Sequence, residues 1–129
     1  MKADCFTYKY EVAPKDIDEL NHLNNIRSIE LVLDAAKQHW EHLASTKLKS
    51  EFAWFLVEHH IKYKSQGFLG DQLSIVTWVK TTSGVKSIRV VEIYRNDTLL
   101  TTSTTTWCLV NQATKTLSKI PPEILSLFN

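Results

Sequence analysis

Apolar and polar residues alternate from Phe6 through Tyr8 and Tyr10 to Val12, with Thr7 and Lys9 between them, which is the period of a half-buried strand. Pro14 ends the run. Beyond it the period changes: Ile26, Ile29, Leu33, Ala36, Trp40 and Leu43 recur at helical spacing, and Val32 and Ala35 widen the stripe. They predict one long helix over residues 24–44, with Arg27, Glu30, Lys37, Gln38 and Glu41 lying away from the stripe. A polar connection through residues 47–50 leads into four strand patterns, at 53–63, 72–81, 85–94 and 99–110. The breaks fall at residues 67–71, at Thr82-Ser83-Gly84 and at Asn96-Asp97, each with turn chemistry. Asn96-Asp97 predicts a two-residue hairpin turn, because both residues tolerate positive φ. A polar loop follows at 111–119, and Pro121-Pro122-Glu123 opens a short helix with proline in its first turn.

This order predicts an α+β fold in which one long helix is wrapped by a curved, five-stranded antiparallel sheet. With 129 residues the chain makes a single domain, 1–129. One helix does not cover five strands, and Trp54, Phe55, Trp78 and Trp107 add apolar surface beyond what one subunit needs. Pairing with a second copy covers the remainder and closes a sheet edge, so at least a homodimer, or a homotetramer, is expected.

Charge narrows the partners. Fifteen lysines and arginines stand against 14 acidic residues, too even a balance for a face that binds nucleic acid or an anionic membrane. The longest apolar run, residues 52–57, is far shorter than a membrane span, and Met1-Lys2-Ala3-Asp4 leads into the first strand without a signal-peptide core. A soluble, unprocessed, cytoplasmic protein is expected. Cys5 and Cys108 read as buried free thiols, in keeping with a reducing compartment. His39 and His42, and the adjacent His59-His60, form no zinc-ligand spacing, so no metal is expected. Glu58 reads as a solvated or ion-paired strand residue, and Lys62, Lys64, Lys80 and Lys86 as a solvated face.

The candidate chemistry is concentrated just ahead of the long helix. Asp16-Ile17-Asp18-Glu19-Leu20-Asn21-His22-Leu23-Asn24-Asn25 holds acidic groups, an imidazole and three carboxamides. Such a cluster is costly to bury without partners, so it is either an elaborate helix cap or a site.

The segment resembles the motif Asp-x-Asp-x-x-x-His-[Val/Leu]-Asn-Asn-x-x-Tyr of the hotdog-fold acyl thioesterases. The similarity is to the 4-hydroxybenzoyl-CoA thioesterase-like group and to the second half of the plant acyl-ACP thioesterases. Further similarity runs through His60-Ile61-Lys62-Tyr63 with Gly70-Asp71, Trp107-Cys108-Leu109-Val110, Ala113-Thr114-Lys115 and Ile120-Pro121. The resemblance implies a hotdog fold and hydrolysis of an acyl-CoA or acyl-carrier-protein thioester, without a cofactor. By the same resemblance Asp18 is the catalytic nucleophile or general base, and the Asn25 amide at the helix start polarises the carbonyl. His22 assists as a supporting group, since a leaving thiolate needs little protonation. Asn24 and Ser28 are expected near the substrate, and Asp16 is expected to be architectural. Two positions depart from the family: Ser28 stands where tyrosine is usual, and Leu20 where the plant enzymes carry an asparagine. Ser28 and Leu31 are expected to reshape the acyl pocket.

Two alternatives accompany this reading. A non-catalytic acyl-CoA-binding hotdog protein would keep the motif for stability alone. An enoyl-CoA hydratase-like enzyme is disfavoured, because its pattern resembles Asp-x-Asn-Pro-x-His, whereas here Asp18 and Asp16 lie four and six residues from His22 without the proline.

Overall fold

A computed structural model describes residues 5–128; the leader-free reading of residues 1–4 lies outside the described residues. Strands β1 (Phe6–Glu11), β2 (Phe52–Tyr63), β3 (Gln72–Ser83), β4 (Lys86–Arg95) and β5 (Thr98–Asn111) form one antiparallel sheet in the order β1-β3-β4-β5-β2. A sixth strand, β6 (Thr116–Leu117), appears where a loop was expected. Asn111 Oδ1 accepts the amides of Ala113 and Thr114, and Lys115 at φ 62° turns the chain back so that Leu117 pairs with Val110.

The long helix α1 (Asn25–Leu43) lies against β1, β3 and β4. Residues 47–50, expected as a connection, belong to a second helix, α2 (Thr46–Glu51). It forms because Ser45 Oγ caps the Leu48 amide at 3.1 Å while Leu48 itself is buried. The predicted short helix is α3 (Pro122–Leu125). At the β4–β5 turn Arg95 pairs with Thr98 and Asn96 takes φ 53°, the two-residue turn that the sequence predicts. Register shifts at Leu56/Glu58, Val79/Thr81 and Ile93/Tyr94 mark bulges that bend three of the strands. Cys108 is buried and Cys5 only half-buried, and both are free thiols.

The buried face of α1 differs from the predicted stripe. Ser28, Leu31, Val32, Ala35, Ala36 and His39 point inward, whereas Ile26 is 68% exposed and Leu33 and Trp40 are half-buried. The reason is the helix's position: it covers the β1, β3 and β4 side of the sheet, leaving its Leu33–Trp40 flank beside the part it does not cover. Two apolar clusters result. One gathers Leu31, Val32 and Ala35 with Leu73, Ile75, Val91 and Ile93; the other gathers Ala44, Leu48, Leu109, Ile120, Ile124 and Phe128. Along α1, His39 falls between the two sets, and with Thr77 and Arg89 it forms a buried polar layer. No described helix is long and apolar enough to cross a membrane.

Candidate active site

Asp16 and Asp18, two residues apart, have opposite environments. Asp16 is buried at the end of a single 3-10 turn, and both its oxygens are occupied. The Tyr10 hydroxyl and the Ala13 amide donate to Oδ2 at 2.6 and 2.8 Å, and Arg27 Nε donates to Oδ1 at 3.1 Å. Burial alone would raise its pKa, but the Tyr10 hydroxyl, the Ala13 amide and the Arg27 guanidinium together hold the carboxyl below its ordinary range. Its backbone carbonyl accepts the Asn24 amide at 2.8 Å, so Asp16 ties the end of β1 to the start of α1.

Asp18 is half-buried and sits on a small closed loop. The Asp18 amide donates to the His22 carbonyl at 2.9 Å, the Asn21 amide donates back to the Asp18 carbonyl at 3.0 Å, and Ile17 bridges to Leu23. Asn21 makes the turn possible by adopting φ 64°. The amides of Leu20 and His22 donate to Asp18 Oδ1 at 2.9 and 3.2 Å; Oδ2 has no hydrogen bond among the described residues. The carboxylate is thus fixed by one oxygen and open at the other.

The remaining motif residues are placed as follows. Asn24 is the N-cap, its Oδ1 accepting the Ile26 amide at 2.8 Å. Asn25 is the first helical residue, so its N–H has no acceptor within the helix, and none is present among the described residues. Its carbonyl accepts the Tyr63 hydroxyl at 3.3 Å. His22 reaches Asp18 through its backbone amide, while its ring packs edge-on to Phe68 at 5.5 Å. Ser28 is buried on the inner face of α1. Gly67 anchors the loop from below: its carbonyl accepts the Leu23 amide at 2.8 Å, and a Cβ on it would lie 3.0 Å from Leu23 Cβ.

A pocket of about 300 Å³ lies farther along α1, lined by Leu33, Ala36 and Trp40 of the helix, Trp54 of β2, Arg89 of β4 and Trp107 of β5. Neither Ser28 nor Leu31 lines it. Leu33 is eight residues beyond Asn25, about 12 Å along the helix axis, so the pocket and the Asp18 loop occupy different ends of the helix. Among the described residues no three His, Cys, Asp or Glu side chains converge as metal ligands. Glu58, on β2, is exposed and bonds to His60 at 2.9 Å.

Residues 3–128 match the family model of the acyl-ACP thioesterase N-terminal domain. The chain belongs to the acyl-ACP thioesterase family. The match falls on the N-terminal domain of that family, whereas the motif had suggested similarity to the second half of the plant enzymes. A chloroplastic acyl-[acyl-carrier-protein] hydrolase, FATB3 of Cuphea viscosissima, is 26% identical over 104 residues, covering 79% of this chain and 24% of its own. The chain therefore spans about a quarter of that relative. Among solved structures, SAV2348 from Staphylococcus aureus in complex with CoA superposes with TM-score 0.86 at 21% identity, over 95% of this chain and 80% of that one. Slr0204, a 1,4-dihydroxy-2-naphthoyl-CoA thioesterase from Synechocystis, superposes with TM-score 0.81 at 20% identity, over 96% and 95% of the two chains. The fold is the hotdog fold, with its curled antiparallel sheet and single long helix.

The polar layer beside the pocket is the feature that the sequence reading passed over. Its signal is the alternation of Ser87 and Arg89 with Val91 and Ile93, which puts all four on the buried face of β4.

Proposed function

We propose that the protein hydrolyses acyl thioesters of coenzyme A or of acyl-carrier protein, with Asp18 as the attacking carboxylate or as the base that activates water. The observation that carries this reading is the half-bonded Asp18 carboxylate. Its Oδ1 is held by two amides and its Oδ2 is open, on a loop that leads directly into the start of α1. A thioester carbonyl at the helix start would meet the unpaired Asn25 N–H and the positive end of a 19-residue helix, both of which favour the oxyanion that forms on attack. Collapse of that intermediate expels the thiolate and leaves either the acid or an acyl-aspartyl anhydride that water then cleaves. Asn24 shapes this corner by capping the helix, and His22 stands beside it as a group able to order water. The similarity to an acyl-carrier-protein hydrolase and to a protein that binds CoA supports these two thiols as the leaving groups.

The working unit in this reading is a homodimer or a homotetramer. Support comes from β2, an edge strand of 12 residues whose outer edge has no partner strand among the described residues and whose Phe55 and Val57 are 62% and 46% exposed. A cytoplasmic location accords with the free thiols.

The test is a panel of acyl-CoA and acyl-carrier-protein substrates with colorimetric detection of the released thiol, in the native protein and in Asp18→Asn. Thiol release that depends on Asp18 supports the reading. Saturable acyl binding without release at any chain length would replace it with a non-catalytic acyl-binding role, and enoyl-CoA hydration without thiol release would replace it with hydratase chemistry.

A further inference from the structure

Arg89 is 6% exposed, and its guanidinium is half used. Nη1 donates to His39 Nδ1 at 2.9 Å and to Thr77 Oγ1 at 3.0 Å, and the Thr77 hydroxyl in turn donates to the Val90 carbonyl at 2.8 Å. An arginine never accepts, so His39 Nδ1 is the acceptor and the neutral ring carries its proton on Nε2. Both protons of Nη1 are therefore committed. Nε and Nη2 have no acceptor among the described residues, yet no side-chain nitrogen there is sealed without a partner, so this edge of the fork opens on the pocket that Arg89 lines.

No carboxylate among the described residues pairs with Arg89. Glu41, the acidic residue that lines the pocket, is bonded to Lys49 at 3.2 Å, and Lys37 adds a third cation to the lining beside Arg89 and Lys49. Burial lowers the Arg89 pKa to about 10, which leaves it charged at neutral pH. A buried charge without a counter-ion is expensive, and a planar fork with Nε and Nη2 free matches the two oxygens of a carboxylate. The walls are of a different kind: Trp40, Trp54, Phe52 and Trp107 offer an apolar, aromatic sleeve.

We propose that this pocket binds the carboxylate of an apolar carboxylic acid, with the Nε–Nη2 edge of Arg89 as its receptor and the tryptophan sleeve holding the apolar body. Two sources supply that chemistry. One is the far end of an acyl group that carries a terminal carboxylate, in which case the pocket selects ω-carboxyacyl thioesters, and this form rests on the thioesterase reading above. The other is a free acid, such as a hydrolysis product held as a regulator, and its binding stands whether or not the protein turns over thioesters. His39 and Thr77 are positioning residues in either case, since they fix the guanidinium plane and do not reach the ligand.

Three of the protein's four tryptophans line the pocket, so their fluorescence reports occupancy. Decanoate and decanol are titrated into the native protein, Arg89→Lys and Arg89→Met. The native protein is expected to bind decanoate at least about tenfold more tightly than decanol, the equivalent of one charged hydrogen bond. Arg89→Met should erase that preference by weakening decanoate alone, and Arg89→Lys should retain part of it. Equal affinity for the two ligands in the native protein overturns the proposal without recourse to any variant, and so does unchanged decanoate affinity in a folded Arg89→Met protein. Hydrolysis of sebacyl-CoA against decanoyl-CoA then separates the sources: a higher kcat/KM for the ω-carboxy substrate assigns the pocket to the acyl end, and equal values with decanoate binding intact assign it to a free acid. Absence of any hydrolysis would refute the thioesterase reading while leaving the binding result to stand.

Discussion

Arg27 Nε reaches Asp16 Oδ1 at 3.1 Å, joining the first turn of α1 to a carboxylate that is otherwise enclosed. This pair holds the strand-to-helix corner on which the Asp18 loop stands. Asp16→Ala leaves the Tyr10 hydroxyl, the Ala13 amide and the Arg27 Nε–H without their acceptor, and should cost about 3 kcal/mol, read from the urea midpoint at neutral pH. The acid limb of stability should also change. Because the folded-state pKa of Asp16 lies below its ordinary 3.8, its contribution is present above that value and is lost as pH falls through the lower folded value. The variant should lack this loss.

Asp18→Asn keeps an oxygen for the Leu20 and His22 amides, so the loop should persist and the melting temperature should stay within a few degrees of the native value. Thiol release should nevertheless fall by about 10²–10⁴ in kcat, the usual contribution of a positioned acid or base. Retained turnover in this variant would remove Asp18 from the mechanism.

His39 supplies a second pH dependence, in a different window. Burial, followed by the adjacent Arg89 charge and by His42, lowers its pKa from 6.5 to about 4. Between those values the unfolded chain binds a proton that the folded protein refuses. Stability should therefore be full above about pH 6.5 and decline toward pH 4, by on the order of 3 kcal/mol in total. Chemical denaturation of the native protein and of His39→Gln across this range checks it, the variant showing the flatter curve.

Phe55→Lys combined with Val57→Lys places two charges on the open edge of β2. Sedimentation equilibrium should find the native protein as a dimer or tetramer and the double variant as a folded monomer. If the site needs both copies, thiol release should fall with the mass.

Much of this architecture was legible in the chain because alternation is a strict signal. Tyr8 and Tyr10 on β1, and Val91 and Ile93 on β4, face inward as their spacing requires, and Asn96 forms the hairpin turn. The rotation of α1 was not legible, because Ile26, Ile29 and Leu33 are as apolar as the residues that reach the core, and composition does not distinguish a core-facing side from one that borders a pocket. β2 was legible as a strand, but the facing of its residues around Glu58 was not, because the bulge beside Val57 shifts the pairing and interrupts the alternation. Asp18 was picked out by its motif, whereas its half-bonded state depends on where the Leu20 and His22 amides point, which no spacing rule states. Arg89 escaped notice because a charged strand residue ordinarily faces water.

The absence of a side chain at residue 67 has a consequence for the Asp18 loop. Leu23 leans directly on that bare backbone, and Leu23 is bridged to Ile17, the neighbour of Asp18. Gly67 is in effect a gauge block that sets the height of the Asp18 carboxylate above the helix start. Gly67→Ala inserts a wedge of one methyl group, 3.0 Å from Leu23 Cβ and 3.2 Å from Leu23 Cδ2, so Leu23 must give way. Such a protein should fold with a modest loss of stability and still bind acyl ligands, but release thiol more slowly, because the few tenths of an ångström that Leu23 must give are passed through its bridge with Ile17 to the Asp18 loop.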